Sequence, residues 1–284
     1  MRRLDAGAAG APIPCVATNI RLGCQGWNYA AWVGPMYPAS TRPADFLATY
    51  ARAFDTVEVD ATFYAVPAAR TVRNWAARVG DGFSFALKLP QEITHERRLR
   101  GAGDTLQRFT DVARELGPKL GPVLIQMGPD FVPAELPALA GFLPALPRDM
   151  HFAIEFRQRG WITDGILALL AEHRVALALT DARWIPRKVM LQLAGRPTGD
   201  VAYVRWMGPD RGIVDYSRVQ VDRTDELEQW AAVLPALAAK VRTVYGYANN
   251  HFAGHGPASV RALQRMLGQS VVEPGQIGEQ LQLF

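Results

Sequence analysis

Short β-rich apolar runs recur along the chain at 20–24, 56–60, 83–88, 122–127, 151–157, 175–180, 201–206 and 243–248. Between them the apolar positions switch to a three-to-four period. Phe46, Leu47, Tyr50, Ala51 and Phe54 keep it, as do Val72, Trp75, Ala76 and Val79. Leu106, Phe109, Ala113 and Leu116 repeat it, and so do Leu227, Trp230, Leu234, Leu237 and Val241. Such a period marks helix, so the pattern alternates strand and helix around eight strands. Asp104, Thr163 and Thr224 are placed as N-caps, and Pro257 in a first helical turn.

Alternation of this kind builds a parallel sheet with helices outside it, and eight units without a second domain close into a single (β/α)8 barrel of the TIM type. An open doubly wound sheet is the competing architecture. It requires a glycine-rich phosphate turn after its first strand, and Gly23-Cys24-Gln25-Gly26-Trp27 is not that turn. The barrel is expected over residues 19–267, between a disordered leader at 1–18 and a flexible tail at 268–284.

In a barrel the outer strand face lies under helices and should be apolar, so polar strand residues point inward. With Val57 and Val59 outside, Glu58 and Asp60 face in. By the same alternation Lys88, Gln126, Glu155, Arg157, Tyr203 and Arg205 face in. These charges gather near the carboxyl ends of the strands, the pole at which such barrels carry their sites. Isolated buried charges are costly, so the ring must be paired, hydrated or bound to a ligand. As a site, it offers Glu58 and Glu155 as acid or base beside Lys88, and Arg157 and Arg205 as an anion clamp. As a structural plug, it is a salt-bridge network and nothing more.

Loops at the same pole extend the candidate list. Trp27, Tyr29, Trp32 and Tyr37 follow strand one, and Phe63 and Tyr64 follow strand two; they are stacking platforms for a sugar or base, or hydrophobic lids. His95 follows strand three within Thr94-His95-Glu96-Arg97-Arg98, which is otherwise a solvated charged turn. Asn249, Asn250 and His251 open the glycine-containing loop to Pro257, where backbone N–H groups and a helix start would suit a phosphate; a plain flexible loop would look the same. His95, His251 and His255 with Glu58, Asp60, Glu155 and Asp181 lack any metal-ligand spacing. No metal site and no cofactor are therefore assigned, and a divalent metal stays open.

Composition changes this picture little. About half of the 284 residues are apolar (49%) and the formal net charge is +4, ordinary for a soluble domain. Basicity is carried by arginine, since Lys88, Lys119, Lys188 and Lys240 are the only lysines. Arginine suits bidentate contact to phosphate or carboxylate, which permits an anionic partner without showing one. No apolar run is long enough to span a bilayer, the residues after Met1 break any secretory core, and Cys15 and Cys24 make no disulfide framework. A bacterial cytoplasm is the expected location.

Seven stretches in order resemble the YecE-like family, a domain of unknown function. They are Gly23–Tyr29, Val57–Tyr64, Phe85–Lys88, Ile93–Glu96, Gly121–Gln126, Ala153–Arg157 and Tyr247–His251, within about residues 20–267. The resemblance implies a β/α barrel and supplies no reaction. Cys24 and Gln25 stand where the family usually has small hydroxyl residues, and Asp60 where asparagine is frequent, which makes this mouth more acidic.

The chain ends Gln280-Leu281-Gln282-Leu283-Phe284. This resembles the short peptide with which bacterial polymerases and repair proteins dock on the DNA sliding clamp, Leu283 and Phe284 entering an apolar pocket while Gln280 makes directional hydrogen bonds. Three functions fit: an enzyme on a phosphorylated or nucleic-acid ligand, tethered to the clamp; a non-catalytic nucleic-acid or clamp-associated module; or a small-molecule enzyme, for example on a sugar phosphate, with an accidental tail match.

Overall fold

A computed structural model describes residues 19–209 and 212–279. Its eight strands are β1 (Ile20–Gln25), β2 (Thr56–Val59), β3 (Ser84–Lys88), β4 (Leu120–Gln126), β5 (Phe152–Glu155), β6 (Ala176–Ala182), β7 (Val201–Gly208) and β8 (Thr243–Ala248). They pair in sequence order, all parallel, and β8 closes on β1 with Gly23 opposite Tyr247. The barrel is therefore complete and has no free edge.

The sequence pattern explains where each face points. Val57, Phe85, Ile125, Ile154, Val204 and Trp206 belong to the large apolar layer between strands and helices. A second, smaller apolar cluster holds Ala86, Leu124, Ala153, Ala176, Ala178, Tyr203 and Tyr247. This is the barrel interior. Alanines from β3, β5 and β6 leave room for the two tyrosine rings of β7 and β8, whose centroids lie 5.2 Å apart. Both hydroxyls find partners on β2: Tyr203 donates to Glu58 Oε2 at 2.7 Å, and Tyr247 bonds Thr56 Oγ1 at 2.9 Å.

Several boundaries differ from the sequence reading. β2 stops at Val59 because Asp60 turns into helical backbone (φ −75°, ψ −24°) ahead of the short helix Ala61–Tyr64. Thr163 caps its helix, its side chain accepting from the Ile166 N–H. Asp104 and Thr224 do not cap. Each lies inside its helix, and Asp222 instead accepts from both the Thr224 N–H and its hydroxyl.

The expected flexible tail is corrected over most of its length. The Arg261 guanidinium donates to the Val272 carbonyl at 2.9 Å, and Gln269 donates to the Ile20 carbonyl at 2.8 Å. Helix Pro274–Glu279 then buries Ile277 completely, with Arg52 donating to its carbonyl. A glycine- and glutamine-rich segment has thus been fixed to the barrel by one apolar anchor and a few main-chain bonds. Gln280, Leu281, Leu283 and Phe284 lie outside the described residues.

Candidate functional site

Parallel strands that end together bring their last inward side chains to one level. Glu58 on β2, Lys88 on β3, Gln126 on β4, Glu155 on β5 and Arg205 on β7 meet there. Arg205 is the hub. Its Nε and Nη2 donate to the two oxygens of Glu58 at 2.9 and 2.7 Å. Its Nη1 pairs with Glu155 and reaches Gln126 at 3.3 Å. Arg157 closes on the other Glu155 oxygen at 3.1 Å, and Lys88 meets Asp60 at 3.2 Å. Three carboxylates face three cations.

The two glutamates are not equivalent. Burial pushes the Glu58 carboxyl above its ordinary value, and Arg205 offsets this only in part. Burial acts on Glu155 the same way, yet Arg205 and Arg157 together outweigh it and hold the group below its ordinary value. The physical difference is the number of cations: Glu155 bonds to two guanidiniums, whereas Glu58 shares one and has Asp60 nearby. Arg205 loses hydration on burial, but Glu58 and Glu155 hold it protonated far beyond need.

Above this ring lies a cavity of about 460 Å³ lined by Glu155, Arg157, Arg183, Trp184, Met207 and His251 among others. Glu155 is one of its lining residues, though itself buried. Glu58 is not among them. It is wholly buried, with both oxygens bonded to Arg205 and one also to Tyr203. Lys88 is buried too, with its ammonium 4.5 Å from the Phe63 ring centroid and its charge directed at Asp60. His95 stands edge-on to the same Phe63 ring at 5.0 Å, on a π-helical turn (Glu92–Glu96), its Nδ1 bonded to Thr94 Oγ1 at 2.8 Å. Burial lowers its pKa, and Arg157 adds to the effect.

Other expected site residues take different places. Trp27 leaves the mouth and packs edge-on against Trp75 in the helix layer at 5.8 Å. Tyr64 projects into solvent, 72% exposed. Asp181 faces outward on β6, bonded to Arg187 and to the Trp230 indole N–H, so it cannot join a mouth metal site. Cys24 is buried in the helix layer and its thiol is pushed up by burial, which makes it inert.

The β8 loop is also corrected. Asn249 accepts from the His251 N–H and donates to Gln25 Oε1 at 2.7 Å; Asn250 accepts from the Gly256 N–H and the Trp32 indole. The N–H groups of His251 and Gly256 in this loop are occupied by these amide side chains. His251 alone of this trio lines the cavity, its Nε2 3.1 Å from the Tyr216 hydroxyl.

Arg183 and Trp184, just past β6, are not among the residues expected from the sequence. The guanidiniums of Arg183 and Arg157 lie 4.3 and 5.6 Å from the Trp184 ring centroid. The available signal was their position alone, one loop further round the same pole. Among the described residues, no group of three or more His, Cys, Asp or Glu side chains could hold a metal, and no helix is long and apolar enough to cross a membrane.

Residues 21–281 match the family model described as a protein of unknown function, DUF72. The chain is 32% identical over 146 residues to the UPF0759 protein YecE of Escherichia coli K12, and that match spans about half (51%) of either protein. To the UPF0759 protein YunF of Bacillus subtilis it is 25% identical over 287 residues, covering 93% of this chain and 100% of that one. A crystal structure of a DUF72 protein from Thermotoga maritima superposes with a TM-score of 0.73 at 24% identity, over 88% of this chain and 99% of the other. One from Enterococcus faecalis gives 0.67 at 21%, over 88% and 98%. At such identities these structures speak for the fold.

Proposed function

The chain belongs to the DUF72 family, and on that footing we propose that its barrel mouth binds a phosphorylated ligand, free or within a nucleic acid, and acts on it as a hydrolase or lyase. One observation carries the reading: a single cavity is lined by an ionised glutamate together with two arginines and an indole. Arg183 is exposed and, among the described residues, has no carboxylate partner, so it is available to an anion. Trp184 supplies a face for a ring. Glu155, held ionised by its two cations, is suited to accept a proton as general base.

Calorimetric titration with inorganic phosphate, ribose 5-phosphate and a short oligonucleotide tests this. At least one probe should bind, and Arg183→Glu should weaken it by roughly tenfold or more. If none binds the wild type, the ligand class is wrong. Glu155→Gln should retain the ligand and lose turnover.

A structural plug is the second reading, favoured by the match of three carboxylates to three cations. Under it, Glu155→Gln costs stability by leaving Arg205 and Arg157 short of a carboxylate, and the cavity binds nothing.

Docking on the sliding clamp belongs to the same proposal. Helix Pro274–Glu279, just ahead of the peptide, is packed on the barrel. Deleting 280–284 should abolish clamp binding; unchanged affinity removes the partner.

A further inference from the structure

We propose that a groove on the flank of the barrel, between helices Phe46–Tyr50 and Ala69–Ala77, binds single-stranded nucleic acid. The groove encloses about 270 Å³, and its lining includes Trp27, Leu47, Arg70, Asn74, Trp75 and Arg78. It shares no lining residue with the mouth cavity, so the two sites stand or fall separately.

The second of these helices reads Ala-Arg-Thr-Val-Arg-Asn-Trp-Ala-Ala and is followed by Arg78. These ten residues hold three arginines and no acid. Arg70, Asn74 and Arg78 are four residues apart and share one face, with a rise of about 6 Å between neighbours. Arg73 points elsewhere and is engaged by Glu115 at 2.9 Å. The other two are not so neutralised: no carboxylate lines the groove, and among the described residues Arg70 has no carboxylate partner. Arg78 gives one nitrogen to the Ala44 carbonyl across the groove, which fixes its stem beside the opening.

Beneath this row lie two half-buried indoles. Trp27 meets Trp75 edge-on at 5.8 Å with an interplanar angle of 80°. Trp75 in turn stacks on Phe85 of β3 at 29°, so the platform is held by the core and does not have to be ordered on binding. Cations in a row above a fixed aromatic floor suit a polyanion whose bases are free to stack. A duplex keeps its bases stacked on one another and offers this floor only its backbone.

The test uses the full chain and a fluorescein-labelled oligothymidylate of about a dozen nucleotides, followed by anisotropy from about 50 to 200 mM salt. Wild type should bind with an affinity that falls linearly in log–log form. Arg70→Glu/Arg78→Glu should weaken binding by at least roughly tenfold and flatten the salt slope by about 1.4, near 0.7 for each phosphate no longer neutralised. Arg70→Glu/Asn74→Asp keeps the Arg78–Ala44 bond, and should weaken binding with an unchanged melting temperature. Lys188→Glu, an exposed charge that lines neither the groove nor the mouth cavity, should leave strand binding as it was. No binding by wild type, or equal affinity and slope in both groove variants, overturns the proposal. So does a duplex, or thymidine monophosphate at equal base concentration, that competes as well as the strand.

Discussion

Glu58 and Arg205 form a two-bond pair, 2.7 and 2.9 Å, that aims the remaining guanidinium nitrogen of Arg205 at Glu155. Both partners are almost fully buried, and Tyr203 donates a third bond to the carboxylate. Removing one member leaves a charge without compensation. Glu58→Ala should therefore cost about 3–5 kcal/mol in urea unfolding at neutral pH. Glu58→Leu/Arg205→Met should recover much of that loss; a double variant as unstable as Glu58→Ala would refute the pairing.

Arg157 separates the behaviour of the two glutamates. The Glu155 carboxyl titrates below its ordinary 4.5 because Arg205 and Arg157 outweigh its burial. Its contribution to stability is present above that unfolded value and is lost as the pH falls through the lower, folded one. Arg157→Leu should move the Glu155 midpoint upward, read by carboxyl-carbon NMR, and shrink that acid-side loss. A midpoint that stays put would show that Arg205 alone sets it.

His95, His151 and His255 are each held below the ordinary 6.5, in every case chiefly by burial. The folded chain thus binds fewer protons on these rings than the unfolded chain. Their stabilising share exists above 6.5 and disappears as the pH drops through the folded values. Imidazole proton NMR should give three midpoints below 6.5. A higher value for His95 would contradict its half-buried place beside Phe63.

Asn250 is a scaffold residue. Its Oδ1 accepts from the Gly256 N–H at 2.9 Å and from the Trp32 indole at 3.2 Å. Asn250→Ala strands both donors, at a cost of about 3 kcal/mol, and should leave phosphate-probe binding at the mouth intact. Loss of binding at unchanged stability would return Asn250 to the site.

Ile277 anchors the segment that follows the last barrel helix. Ile277→Ala should cost about 2 kcal/mol and open residues 268–279 to limited proteolysis ahead of the barrel. Equal resistance in variant and wild type would mean that the main-chain bonds suffice.

The barrel was legible because one period decides each side of a strand. Val57 and Val59 flank Glu58, and that alternation alone sends the glutamate inward. Strand six is apolar on both faces until Thr180 and Asp181, adjacent polar residues on opposite faces, so alternation there could not say that the Asp181 carboxylate turns outward to Trp230. Beyond strand ends no period exists. Trp27 and Asn250 follow β1 and β8 closely, yet turns carry both into the helix layer, while Arg183 and Trp184 reach the cavity from a loop with no pattern of its own. Residues 268–279 resemble a linker by composition, and one isoleucine overrides it.

The matched charges of the mouth make its occupancy an exchange. An anion that claims Arg157 leaves Glu155 leaning on Arg205 alone, the condition in which Glu58 already stands with a raised proton affinity. Filling the cavity and loading a proton onto Glu155 are then reciprocal events. A ligand that arrives as an anion strengthens its own base.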